Sequence, residues 1–122
     1  MWLILPIGFY SVVHKGDCFD NPDLICVRSR WAGDLERMNA ALVADGHAPG
    51  VIIDNEGTDY QVRMYVDRKQ FAATVGTIIC AIDFGNFKNR VRRVAGTARA
   101  KMCGKIWSAV GIAYAAGGTR QY

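Results

Sequence analysis

The side chains that could act as nucleophiles, general bases or metal ligands are two histidines, His14 and His47, and four cysteines, Cys18, Cys26, Cys80 and Cys103. A catalytic or metal role needs these groups at spacings that bring them together. The cysteines follow one another at intervals of eight, fifty-four and twenty-three, which match no zinc or CxxC pattern. A metal set of Cys18, Cys26, His14 and His47 is not expected. His47 lies in the Gly/Pro loop DGHAPG, and His14 ends a strand with no Ser, Cys or carboxylate placed to work beside it. The carboxylates Asp17, Asp20 and Asp23 resemble a calcium loop in charge alone, because the turn glycine and terminal glutamate are missing. Asp54 and Glu56 read as a solvated turn tip. GxSxG, P-loop, GxGxxG and HExxH are all absent. The expectation is a chain that is not an enzyme and takes no metal and no cofactor.

The cations are more informative. Residues 1–84 carry 7 Lys+Arg and 11 Asp+Glu, and residues 85–122 carry 8 Lys+Arg and no acid, which together make the net charge of +4. The basic set is Lys88, Arg90, Arg92, Arg93, Arg99, Lys101, Lys105 and Arg120. On one helix turning 100° per residue, Lys88, Arg92 and Arg99 fall within about 40°, along about 16 Å of axis. Such a column can follow phosphates or an acidic protein surface. The bland alternative is that these cations neutralise the acidic part of the same fold. A second candidate surface is a sheet face carrying Tyr10, His14, Arg28, Arg30, Arg63 and Tyr65, where arginines interleave with tyrosines as they do in base-stacking and interface hot spots. The candidate binding residues are therefore Arg28, Arg30, Arg63, Tyr65, Lys88, Arg92, Arg93, Arg99 and Lys101.

The elements that must position them follow from periodicity. Met1 to Val13 is apolar, but it has no basic leader, is interrupted by Pro6 and Gly8, and is too short to span a bilayer. It reads as a buried strand. Gly8–Lys15 and Leu24–Arg30 alternate as strands able to pair antiparallel. Ala32–Ala44 is a helix with a Trp31, Leu35, Met38, Leu42 stripe. Val51–Ile53 is a possible short strand, and Tyr60–Val66 is a strand with Tyr60, Val62, Met64 and Val66 on one face. Asp67 as N-cap, Gln70 at N3 and a Val66–Phe71 staple start the next helix, whose stripe is Phe71, Val75, Ile78 and Ile82, widened by Ala72 and Ile79. Gly85 ends it. Asn86 caps a last helix with the stripe Phe87, Val91, Val94, Ala98, Met102, Ile106 and Val110, which Gly96 is placed to kink or split. Cys80 and Cys103 read as small core residues. The order β-β-α-β-α-α predicts an α+β fold, a small antiparallel sheet of three to four strands with three helices packed on one face, in one domain over residues 1–122. An apolar fraction of 51% and a charged fraction of 21% suit a globular chain. The cysteine usage suits a reducing, cytoplasmic setting.

The segments GFYSVV (Gly8 to Val13), VRSR (Val27 to Arg30), GDLERM (Gly33 to Met38), DYQVRMYV (Asp59 to Val66) and IDFGNFKNRV (Ile82 to Val91) resemble, in the same order, a family of small uncharacterised bacterial proteins with the pattern GFxSVV, VRxR, DYxxRxxV and ID[FY]xNFK. Trp107 matches that family's late aromatic. The resemblance implies no activity. The chain departs from the pattern at Asp17–Asp23, at Asp45–Thr58 and in its tail GGTRQY.

The function expected is a non-enzymatic binding module presenting a basic surface to an anionic macromolecule, either nucleic acid or an acidic protein surface, with no membrane partner and a homodimer as a further option. The alternatives are a small phage or mobile-element inhibitor of the anti-CRISPR type, which would occlude a protein partner, and an enzyme or small-ligand binder with an unfamiliar site.

Overall fold

The structure, a computed structural model, describes residues 1–55 and 57–117. Its class is α+β, built on a five-stranded antiparallel sheet with four α-helices. The strands are β1 (Trp2–Leu5), β2 (Gly8–Val13), β3 (Leu24–Ser29), β4 (Ile53–Asp54) and β5 (Val62–Asp67). The helices are α1 (Ala32–Ala44), α2 (Arg68–Cys80), α3 (Phe87–Ala95) and α4 (Thr97–Gly117). By their internal contacts the residues form two compact units, Met1–Asp83 and the segment from Phe84 onward.

In the first unit the sheet order is β1-β2-β3-β5-β4. The apolar start is not one buried strand. It is a hairpin that turns at Pro6–Ile7 and pairs Leu5 with Gly8, and it leaves Trp2 exposed at the sheet edge against Phe9. Pro6 and Gly8 are what make the turn possible. Strict alternation along β2, β3 and β5 sends Tyr10, Val12, Ile25, Val27, Val62, Met64 and Val66 to one face. There they meet Leu35, Met38 and Leu42 of α1 and Phe71 of α2. Removing any one of these side chains to Cβ costs about 2–5 kcal/mol.

Helix α1 spans the residues its periodicity predicts. Trp31, however, is the N-cap and remains partly exposed. Helix α2 starts as the capping residues require: Asp67 Oδ1 accepts from the Gln70 amide at 2.9 Å, and Val66 and Phe71 are both buried. Its predicted stripe narrows, because Ile79, Ile82 and Ala72 are exposed while Thr74 is buried, and Cys80, expected in the core, is exposed instead.

A buried carboxylate ties this unit together. Asp34 accepts from the Phe9 amide (2.9 Å), from Arg37 Nη2 (2.7 Å) and from Ser29 Oγ (3.4 Å). The Tyr10 hydroxyl donates to the Asp34 carbonyl at 2.6 Å, and Arg37 Nε donates to the Ile7 carbonyl at 2.6 Å. Gly8 is required here: a Cβ would lie 2.7 Å from both the Asp34 side chain and the Tyr10 hydroxyl oxygen. Tyr10 is therefore fully buried on the core face, and not on the outer face beside Arg28.

In the second unit Asn86 caps α3, its Oδ1 accepting from the Asn89 amide at 2.9 Å. Gly96, at φ +98°, ends α3 and separates it from α4. Val91, Ala100 and Cys103 are the buried residues of this pair. Among the described residues no helix is long and apolar enough to cross a membrane.

Candidate anion-binding surfaces

The outer face of the sheet carries a register row running Ser11, Arg28, Arg63 and Ile53 across β2, β3, β5 and β4. Period-two alternation places Arg28 and Arg63 opposite the core, so their exposure on this side follows from the burial of Val27 and Met64 on the other. The two arginines are direct cross-strand partners. Arg28 Nη2 donates to Ser11 Oγ at 2.7 Å. Its guanidinium lies 4.6 Å from the centre of the Tyr60 ring, and that of Arg30 lies 5.7 Å from the same ring. Tyr60 thus carries two cations on its π-face, an arrangement with attraction in its own right. The tyrosine was expected on the core face with Val62. It precedes β5 instead of belonging to it, and the bend at Thr58–Tyr60 frees its ring to turn outward.

The next row holds Val13, Cys26 and Tyr65. Burial pushes the Cys26 thiol above its ordinary 9.0, with Arg63 and Arg28 opposing that shift, Cys18 adding to it, and a hydrogen bond with Tyr65 opposing it. A short 3-10 turn, Gly16–Cys18, closes over this row. A Cβ at Gly16 would collide with the Tyr65 hydroxyl. Cys18 Sγ is engaged by its own turn, donating to the Lys15 carbonyl at 2.8 Å. His14 contacts the Phe19 and Leu24 carbonyls and Arg68. Within residues 1–83, among those described, no carboxylate reaches ion-pair distance of Arg28 or Arg63, and the Nε of each is buried without an acceptor.

The second surface is the helical unit. Lys88, Arg92, Arg93, Lys101 and Lys105 are exposed, while Arg90 and Arg99 are partly buried. Arg92 Nη1 donates to Asn89 Oδ1 at 2.8 Å, Arg90 lies over the Phe84 ring at 4.8 Å, and Lys88 Nζ lies 5.7 Å from the Trp107 ring centre. Arg92 and Arg93 occupy the last turn of α3, where the helix dipole favours a cation. The break at Gly96 corrects the predicted column. Lys88 and Arg92 stay one turn apart on α3, but Arg99 belongs to α4, so the three do not share one helical face. Arg120 and Glu56 lie outside the described residues.

Among the described residues no three His, Cys, Asp or Glu side chains cluster as metal ligands. A groove of about 350 Å³ between the sheet and α2 is lined by Leu3, Val12, Ile25, Phe71 and Val75, with Arg68 as its charged neighbour. That guanidinium is already held by the Pro22 and Leu24 carbonyls. No family model, curated protein or solved structure matches the chain.

Proposed function

We propose that this chain is a non-enzymatic binding module that holds an anionic macromolecule, nucleic acid or an acidic protein surface, in the cytoplasm. The observation that carries this reading is the unit from Phe84 onward, which has eight cations in its sequence and no Asp or Glu. The sequence of that unit offers no Asp or Glu side chain to neutralise Lys88, Arg92, Arg93 and Lys101. The sheet face adds Arg28, Arg30, Arg63 and Tyr65, with Tyr60 as a further aromatic. A polyanion binding through phosphates releases counterions, so about four such contacts predict a loss of affinity of roughly 100-fold between 50 and 200 mM salt. The test is fluorescence anisotropy with a mixed-sequence oligonucleotide over that salt range. Binding that is absent, or flat with salt, overturns the nucleic-acid form. Capture of a stoichiometric acidic protein from a defence-bearing host then supports the occlusion form, which the Arg28–Tyr60–Arg30 stack favours because Arg and Tyr dominate interface hot spots.

A further inference from the structure

We propose that Arg28 and Arg63, on the outer face of the sheet, form a binding site for a phosphate group. The site deepens the reading above and rests on its premise that the chain binds anions, but it belongs to the unit Met1–Asp83 and not to the unit that follows. The register row through the two arginines runs Trp2, Ser11, Arg28, Arg63 and Ile53, so it crosses all five strands without a carboxylate. Directly opposed side chains on neighbouring strands start about 4.5–5.5 Å apart. Both guanidinium charges act on the Cys26 thiol in the next row, so both lie over the same part of the sheet.

The donors of this pair are largely unengaged. Arg63 makes no hydrogen bond and no ion pair among the described residues, and its Nε is buried without an acceptor. Arg28 donates from Nη2 to Ser11 Oγ and lies over the Tyr60 ring, while its Nε is likewise buried and unmet. Buried Nε atoms hold both side chains by their inner ends and leave outer Nη groups to meet a ligand. Buried donors without acceptors are costly, and an anion that draws on both guanidinium groups relieves that cost together with their mutual repulsion. Oxygen count and charge select the ligand. A carboxylate has two oxygens, which one guanidinium fork satisfies. Two opposed forks call for an anion with at least three oxygens and more than one charge, and a phosphate ester has both. Arg30, exposed just past the end of β3 beside the same Tyr60 ring, adds a third cation at the rim.

The experiment follows the arginine Nε–Hε signals of the isotope-labelled full chain by NMR, at a constant ionic strength of about 150 mM. Inorganic phosphate is titrated from about 0.1 to about 20 mM, a range that spans millimolar dissociation constants. Sodium acetate over the same range is the carboxylate control. Thymidine monophosphate, and an oligothymidylate without a terminal phosphate, then separate the two sources of the group, a free monoester and a chain backbone. Arg63→Met and Arg63→Lys are compared with the wild type, with circular dichroism confirming the fold of each. The signal missing from both variants assigns Arg63, and the Arg28 signal reports their affinity.

The expected result is a saturable shift of the Arg28 and Arg63 signals with inorganic phosphate that acetate does not reproduce. Arg63→Met raises the phosphate dissociation constant at least about tenfold, as loss of a hydrogen bond to a charged group predicts. Lysine keeps the charge without the fork, so Arg63→Lys restores only part of the affinity. The same shift with the monophosphate alone assigns the site to a free phosphate ester, and with the oligothymidylate to a backbone phosphate. Signals that phosphate leaves in place, an equal response to acetate, or an Arg63→Lys chain as tight as the wild type each overturn the proposal. Oligonucleotide binding that keeps its salt slope while phosphate leaves Arg63 unmoved sinks this site alone. Phosphate that saturates the site in a chain that binds no oligonucleotide sinks only the nucleic-acid form of the function proposed above.

Discussion

Arg28 on β3 and Arg63 on β5 face each other directly across the sheet, and among the described residues the Nε of neither finds a hydrogen-bond acceptor. Like charges at directly opposed positions destabilise an antiparallel pair. The sheet therefore carries an electrostatic cost that an approaching anion relieves. Ser11 and Tyr60 hold the Arg28 side, which leaves Arg63 as the arginine whose charge is most separable from packing.

Arg63→Met keeps the aliphatic stem and removes the charge. Stability by urea denaturation should stay level or rise by up to about 1 kcal/mol. Oligonucleotide affinity at low salt should fall, with a shallower salt slope. A loss of stability beyond about 1 kcal/mol would show that the guanidinium is a structural contact.

Asp34 is the buried hub between the β1–β2 turn, β3 and α1. Asp34→Ala strands the Phe9 amide and takes the carboxylate from a partly exposed Arg37, and a buried donor left without its acceptor costs about 1–3 kcal/mol. The urea midpoint should drop accordingly. Arg37→Ala should cost more, about 3–5 kcal/mol, because it removes the ion-pair partner of a fully buried carboxylate. An Asp34→Ala protein as stable as the wild type would refute the hub.

Thr74 on α2 is buried and its hydroxyl has no partner among the described residues. A buried hydroxyl without an acceptor is a desolvation cost with no return. Thr74→Val should raise stability by about 1 kcal/mol, read as a higher midpoint with an unchanged slope. A lower midpoint would mean that the hydroxyl is satisfied in solution.

Burial raises the thiol pKa of Cys26 and of Cys103, with Arg99 partly opposing the latter. Both thiols stay protonated in the folded chain at pH values where the unfolded chain has begun to ionise. The folded state then binds more protons than the unfolded one, so stability falls as pH rises from about 9 towards the folded values. Replacing both by alanine should flatten that alkaline decline. With iodoacetamide at pH 8, exposed Cys80 should react first and Cys26 last, as peptide mass mapping would show. Equal rates at Cys80 and Cys26 would contradict the burial.

Local rules were enough for much of this chain. The capping pair Asp67–Gln70, the span of α1, the cap at Asn86 and the outward register of Arg28 and Arg63 are all readable from neighbouring residues, because hydrogen bonds three residues apart and period-two alternation are set within a few positions of the chain. The absence of acids after residue 84 is likewise a property of the sequence alone. What escaped it depended on partners distant in the chain. Tyr10 is pinned inside by a backbone carbonyl twenty-four residues away, the Asp34 hub gathers groups from Phe9 to Arg37, and Tyr60 turns out to meet two arginines from the β3 strand and its end. The break at Gly96 undid a column that existed only while one helix was assumed, since a positive φ there resets the phase of everything that follows. Periodicity fixes which side of an element a residue takes, but only the packed chain decides what waits on that side.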